Sequence, residues 1–297
     1  MILTVDRFSP HARALRAHFD QRFADPRRAD GGRFVWDYWH VPGQYTQLRT
    51  PAWELFPRQR YQAFHQALVW WGRRTLGCHD VSPPWLSAYV DGCGQQLHAD
   101  VPHGPFAFVF SLTHFPSPHF EGGETILLKD RVLDWWSGSE ASAFHEADEL
   151  LHTVEPRFNR LVVFDPRIPH GVREVRGTRD VRHARLVVHG WFVQPRPFIE
   201  GPLPVKALAR ALEGLPDALG RSALAPVQGL TSLRLEVTAE GKVRRAAVLA
   251  DTTRAPHGHE RARAALRRRL LAAVSAFQLP RARGPSKVTL PVLFEAR

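Results

Sequence analysis

A mainly β core supported by N-terminal helices, followed by a small α+β unit, is the architecture expected of this chain. Three observations carry the expectation. Between Trp85 and Phe192, short apolar runs alternate with Gly, Pro and Asp turn residues, the signature of a β-sandwich or jelly roll. Before them, apolar residues recur at helical spacing. After residue 200 the composition changes, since all nine Trp and all four Tyr lie before it, and the tail reads strand, strand, helix, strand.

The elements follow in order. Ser9-Pro10 reads as an N-cap with Pro at the first helical position, and Leu15, Phe19 and Phe23 then share one face. A second helix is expected after Pro57, with Tyr61, Phe64, Leu68 and Trp71 as its apolar stripe packed against a sheet. Strands are expected at Trp85–Val90, Phe106–Leu112, Thr125–Leu128, Arg160–Phe164 and Arg185–Phe192. The Pro-rich stretch from Pro195 to Pro204 marks a boundary. The expected division is a domain at 1–199, with its core at about 84–194, a linker at 200–228 and an α+β domain at 229–297. In the last part, Leu233, Leu235 and Val237 alternate with polar residues, Glu240-Gly241 reads as a turn, and Val243 to Leu249 as the returning strand. His259 to Phe277 is an Ala/Arg/Leu helix pattern, and Val288 to Phe294 a closing strand.

Composition narrows the function classes. A hydrophobic share of 44% over 297 residues sustains a sizeable core and argues against disorder. Cys78 and Cys93 are the only cysteines, too few for a disulfide framework or a Cys-rich zinc site, so a reducing compartment is expected. No stretch approaches the roughly 20 apolar residues that span a bilayer, and the N-terminus lacks an apolar leader. The expectation is therefore a soluble cytoplasmic protein with no membrane partner. The net charge of +11 suggests nucleic acid at first sight. However, residues 1–199 hold 23 Lys+Arg against 21 Asp+Glu, while 200–297 hold 17 against 8. The basicity sits in the C-terminal third, away from the expected core, and an Arg-rich coding bias accounts for it equally well.

The chemistry concentrates in Tyr89-Val90-Asp91-Gly92-Cys93-Gly94-Gln95-Gln96-Leu97-His98-Ala99-Asp100. In an extended chain, residues two apart share a face, so the His98 imidazole and the Asp100 carboxylate converge. Alone, a His-x-Asp pair is a common coincidence. A later apolar strand, Leu161 to Phe164, leads to Pro169-His170-Gly171-Val172 and so offers a second histidine. Two His and one carboxylate on one facet are the facial triad of non-haem iron(II) oxygenases. Arg185 then opens the apolar strand Arg185-Leu186-Val187-Val188-His189-Gly190-Trp191-Phe192. A buried Arg there needs an anion, and a carboxylate would satisfy it bidentately. His189 and Trp191 share the strand face of Arg185 and are candidates to wall the same pocket. His103, His114, His119, His152 and His183 read as surface or supporting residues.

On these residues the chain resembles the prolyl-4-hydroxylase-type branch of the 2-oxoglutarate/Fe(II) dioxygenases, over about Pro84 to Gln194. The lead-in Tyr89 and Gly92, the run Gly122-Gly123-Glu124-Thr125 and the Pro156-Arg157-Phe158 run before the distal histidine carry the likeness. The resemblance implies a double-stranded β-helix, iron(II) on His98, Asp100 and His170, and the 2-oxoglutarate C5 carboxylate on Arg185 with Tyr89 beside it. Ser111 stands where some relatives carry a second cosubstrate-binding tyrosine. Asp100 argues against a halogenase, whose motif has a small residue there. The implied reaction consumes O2 and 2-oxoglutarate, with ascorbate as an allowed reductant. It hydroxylates an unactivated C–H bond on a peptidyl or free amino-acid side chain and releases succinate and CO2. The implied substrate is a peptide, a protein or a small amino-acid-like molecule.

Two other readings are weighed. An oxidative nucleic-acid demethylase would want a basic groove at the metal, and the near-neutral 1–199 segment counts against it. A non-catalytic jelly-roll binder would be expected to lack part of the triad or the Arg. The segment from about Gly229 resembles the C-terminal domain of TonB-type energy transducers, on Leu233 to Val237, Glu240 to Val243, Phe277 to Ala282 and Val288 to Phe294. That likeness implies a module for a protein partner or for self-association. Arg261, Arg263, Arg267, Arg268 and Arg269 are its candidates for an acidic partner or a solvated helix face. Trp36-Asp37-Tyr38-Trp39 and Trp135-Trp136 are candidate entrance residues.

Overall fold

The structure is a computed structural model and describes residues 1–25, 27, 37–101, 103–129, 132, 150–220, 227–256 and 258–295. Trp36, Trp135 and Trp136 lie outside the described residues. The chain forms two compact units, one of Ile2–Leu68 and Val81–Phe192, the other of Met1, Val69–Asp80 and Val193–Arg297.

The elements in chain order are β1 (Ile2–Val5), α1 (Ala12–Arg22), β2 (Asp37–Val41), β3 (Tyr45–Pro51), α2 (Ala52–Leu55), α3 (Arg58–Thr75), β4 (Cys78–Val81), β5 (Trp85–Tyr89), β6 (Gly94–His98), β7 (Phe106–Ser111) and β8 (Thr125–Leu128). There follow β9 (Leu151–Val154), β10 (Leu161–Phe164), β11 (His170–Val172), β12 (Arg185–Pro195), β13 (Phe198–Glu200), α4 (Val205–Glu213), α5 (Leu215–Leu219), β14 (Gly229–Val237), β15 (Val243–Asp251), α6 (Glu260–Ser275) and β16 (Ser286–Phe294).

In the first unit the strands run β1-β10-β7-β12-β5-β3-β6-β11-β8-β9, with β2 added on β3. The pairings among them are antiparallel. This antiparallel sheet is consistent with the jelly-roll core expected from the sequence. Strands β7, β10 and β12 read as near-continuous apolar runs because both of their faces are covered. On one side, Phe64 of α3 packs on Phe110 at 4.8 Å between ring centroids, and Phe8 meets the same ring at 5.8 Å. Leu15 and Phe19 of α1 are fully buried, as the helical spacing requires.

The first helix departs from expectation. It begins at Ala12 rather than at Pro10, with His11 as its N-cap. The backbone of Ser9 is clamped by Asn159, since its N–H donates to Asn159 Oδ1 at 2.8 Å and its carbonyl accepts from Asn159 Nδ2 at 2.9 Å. The Ser9 hydroxyl is left free for a local contact and accepts the His11 N–H at 3.2 Å, so Ser9 caps the turn that leads into the helix while Asn159 clamps its backbone. A strand, β1, also precedes the helix and pairs with β10.

In the second unit the sheet order is β13-β16-β14-β15. Leu233, Leu235 and Val237 of β14 point into a core completed by Leu266, Leu270 and Val274 of α6 and by Val288 and Leu290 of β16. The β14–β15 turn requires Gly241, whose φ is +86° and whose added Cβ would overlap the Leu279 carbonyl oxygen.

Candidate functional site

The first unit encloses a cavity of about 580 Å³ lined by β3, β5, β6, β7, β11 and β12. The strand period of two decides which residues face it. From β12 come Arg185, Val187, His189 and Trp191, from β5 Trp85 and Tyr89, and from β3 Tyr45, Gln47 and Arg49.

One group of His, Cys, Asp and Glu side chains among the described residues could hold a metal ion: His98, Asp100 and His170, whose ligand atoms all lie within 4.8 Å of one another. His98 ends β6 and is paired in register with His170 of β11. Gly171 makes that approach possible, since a Cβ there would come within 2.5 Å of the Gln95 carbonyl oxygen. Asp100 Oδ1 lies 3.6 Å from His98 Nε2, and its Oδ2 lies 3.4 Å from His170 Nε2. Each imidazole is aimed by a backbone carbonyl two residues upstream. His98 Nδ1 meets Gln96 O and His170 Nδ1 meets Ile168 O, both at 2.8 Å. A carbonyl only accepts, so Nδ1–H donates and the Nε2 lone pair is left for a ligand. Burial raises the Asp100 pKa, but its interactions with His170 and with the nearby His98 and His103 outweigh it and hold it below the usual carboxylate value. Two imidazoles and one carboxylate suit a divalent first-row metal and leave open coordination positions.

The anchor for an anion sits across the cavity. Arg185 is 1% exposed, and burial pulls its pKa down. Its Nη2 donates to Thr125 Oγ1 at 3.1 Å, while Nε and Nη1 are buried with no hydrogen-bond partner. Its Cζ lies 4.6 Å from the centroid of Tyr89, which pairs with Arg185 in the β5–β12 register. The Tyr89 hydroxyl donates to Gln47 Oε1 at 2.8 Å, and burial pushes its pKa to about 12. The Gly122-Gly123-Glu124-Thr125 run has a physical reason at this point. Both glycines have positive φ. A Cβ on Gly122 would collide with the Glu174 carbonyl oxygen, and one on Gly123 would press on Arg185 Cδ at 3.2 Å. An orphaned, buried guanidinium is suited to a carboxylate, which can take two of its N–H groups at once.

His189 and Trp191 do line the cavity, as their strand face implied. Burial, followed by the charges of Arg185 and Arg49, takes the His189 pKa down to about 3, and Ser87 Oγ lies 2.7 Å from its Nε2. His103 also lines the cavity and packs tilted against Trp191 with ring centroids 4.5 Å apart, a role its sequence position did not signal. Ser111 is turned away, with its hydroxyl donating to Pro156 O at 2.7 Å, so it contributes nothing to the anion site. Gln47 and Arg49 were missed, although Tyr45, Gln47 and Arg49 alternate as a strand face should.

Residues 84–193 match the family model described as the 2OG-Fe(II) oxygenase superfamily. That segment is a 2OG-Fe(II) oxygenase domain, and together with the His-Asp-His cluster it makes this protein a dioxygenase that uses Fe(II), 2-oxoglutarate and O2. Among solved structures, the chain is similar to a Pseudomonas putida prolyl-4-hydroxylase, with 21% identity, a TM-score of 0.43 and coverage of 65% of this chain and 92% of that one. It is also similar to a Trichoplax adhaerens prolyl hydroxylase in complex with a hypoxia inducible factor peptide fragment, at 13% identity, TM-score 0.42 and coverage of 65% and 83%. A third likeness is to the non-heme alpha ketoglutarate dependent epimerase SnoN from nogalamycin biosynthesis, at 13% identity, TM-score 0.40 and coverage of 63% and 76%. A comparison with curated proteins gave no match. Among the described residues, no helix is long and apolar enough to cross a membrane.

Proposed function

We propose that His98, Asp100 and His170 hold the iron, that Arg185 and Tyr89 position 2-oxoglutarate, and that the enzyme hydroxylates an unactivated C–H bond on a peptidyl or free amino-acid side chain. The observation that carries the reading is Arg185: a fully buried guanidinium with Nε and Nη1 unpartnered, facing the cavity that holds the triad. When bound, the iron and cosubstrate supply oxidative decarboxylation to succinate and CO2, coupled to oxygen transfer to the substrate.

The chain's own residues then have these tasks. Arg185 forks onto the distal carboxylate, with Thr125 fixing the plane of the guanidinium. Tyr89 covers one face of that cation and is itself held by Gln47. The carbonyls of Gln96 and Ile168 keep both Nε2 atoms aimed at the metal position. Phe108, Phe164 and Val187 make the surrounding wall apolar and exclude water. The segment 1–199 is read as the catalytic domain, 200–228 as a helical connection whose Leu208, Leu215 and Leu219 join the core of the second unit, and 229–297 as an α+β module similar to the TonB C-terminal domain that serves a protein partner or self-association. The apolar core shared by β14, β16 and α6 supports only the reading of that segment as a folded α+β module.

The test is succinate formation from 2-oxoglutarate under air with added iron(II) and ascorbate, in the parent and in Asp100→Ala and Arg185→Ala. Slow succinate release in the parent, lost in both variants, supports the assignment. Equal release in parent and Asp100→Ala would remove Asp100 from the metal site.

A further inference from the structure

Beside the triad and Arg185, the cavity holds a second cation whose surroundings nothing above explains. Arg49 lies on β3, one row along the sheet from the cosubstrate row. The register places Arg49 opposite Ser87, and Ser87 opposite Val187, next to the pair of Tyr89 and Arg185. Two strand spacings of about 4.8 Å separate β3 from β12, so the backbone of Arg49 stands roughly 10 Å from that strand. Its Cζ lies 3.1 Å from the Trp39 ring centroid and 4.2 Å from that of Trp85. Two indoles this close cannot share one side of the guanidinium, so its faces are covered. What it still offers is its in-plane N–H edge, the geometry that matches a carboxylate.

That edge is unused. Nε is buried with no partner, and no hydrogen bond or ion pair reaches the guanidinium among the described residues. Asp37 faces Arg49 across the β2–β3 hairpin but is exposed and does not pair with it. Burial lowers the Arg49 pKa, although the group stays charged at neutral pH. In the loaded site the iron(II), the dianionic cosubstrate, Asp100 and Arg185 cancel one another, and His189 is neutral. The charge of Arg49 is left over, in a wall whose polar groups Gln47, Ser82 and Gln95 carry no charge to offset it.

Resting on the oxygenase reading above, we infer that Arg49, clamped between Trp39 and Trp85, anchors a carboxylate on the substrate, so that the enzyme selects carboxylate-bearing substrates over neutral ones. A packing role alone would leave the clamp indifferent to anions.

The test uses the full chain loaded anaerobically with iron(II) and 2-oxoglutarate. The visible band of chelated cosubstrate is recorded first in every protein, so that an unloaded site is told apart from a missing preference. N-acetylglycine, its neutral amide and inorganic phosphate are then titrated against indole fluorescence in the parent, Arg49→Gln and Arg49→Lys. The inference expects the acid to bind the parent at least about tenfold tighter than the amide, the gap to vanish in Arg49→Gln and part of it to survive in Arg49→Lys. With the band present, equal binding of acid and amide, binding of neither, phosphate binding tighter than the acid, or an unchanged gap in Arg49→Gln overturns the inference and leaves the oxygenase reading standing. If the band never forms, the oxygenase reading fails, and the inference fails with it.

Discussion

Arg185→Met separates the needs of the fold from those of the cosubstrate. Without 2-oxoglutarate, Nε and Nη1 of Arg185 are buried donors with no acceptor. Each orphan costs about 1–3 kcal/mol, so the two cost about 4 kcal/mol at mid-range. Methionine removes both and fills much of the same volume. Against that gain stand the charged bond to Thr125, about 2 kcal/mol, and the Tyr89 ring contact, about 1 kcal/mol. The net is about 1 kcal/mol of stabilisation for the empty protein, or a rise of about 2–4 °C in Tm for a unit of this size. In the parent, 2-oxoglutarate at 100 times its Kd adds about 2.7 kcal/mol. That increment should be absent in the variant. Thermal unfolding with iron(II) held constant, with and without 2-oxoglutarate, measures both terms. A variant that keeps the cosubstrate shift, or that melts well below the empty parent, refutes the claim that Arg185 is a fold liability retained for its ligand.

Three other outcomes are expected. Gly122→Ala should cost at least about 2 kcal/mol by urea unfolding, because positive φ and a collision with the Glu174 carbonyl oxygen act together, whereas Gly123→Ala, strained by the same positive φ but meeting only side chains, should cost less stability and also weaken 2-oxoglutarate binding by pushing on Arg185. His189 has a folded pKa of about 3, below its ordinary value of 6.5, so the unfolded chain binds the extra proton between those pH values. Its contribution to stability is therefore complete above pH 6.5 and drains away as pH falls toward 3, with a slope of up to about 1.4 kcal/mol per pH unit, and His189→Gln should flatten that part of a pH–stability curve. Leu270→Ala should cost about 2–5 kcal/mol in the C-terminal core while leaving the 2-oxoglutarate-induced Tm shift of the catalytic unit intact, as two-transition calorimetry would show.

The chemistry of this chain was more legible in its sequence than the frame around it. His98, Asp100, His170 and Arg185 stand out because metal and anion binding demand particular atoms at fixed strand spacings, and the structure brings all four to one cavity. Tyr89 is brought there as well, against Arg185. Strands with apolar runs, such as Phe106–Ser111 and Leu161–Phe164, were readable because burial on both faces leaves no polar alternation to confuse them. Strands β2, β3, β6 and β9 were not read. Their residues are polar or half-buried, and their pairing is decided by partners far along the chain. The same blindness hid Gln47 and Arg49, which acquire meaning only once β3 lies beside β5. Ser9-Pro10 was read only in part: the Ser9 hydroxyl does accept the His11 N–H, but Asn159, 150 residues away, holds the Ser9 backbone and the helix proper starts at Ala12.

The central claim is that iron(II) and 2-oxoglutarate meet on His98, Asp100, His170 and Arg185. Anaerobic titration of the metal-free protein with iron(II), then 2-oxoglutarate, tests it most directly, by way of the weak visible charge-transfer band of the chelated cosubstrate. The account predicts a band in the parent, none in Asp100→Ala, and one that needs at least about 30-fold more 2-oxoglutarate in Arg185→Ala. A parent that binds iron(II) and 2-oxoglutarate without a band, or an Arg185→Ala protein that titrates like the parent, would contradict it.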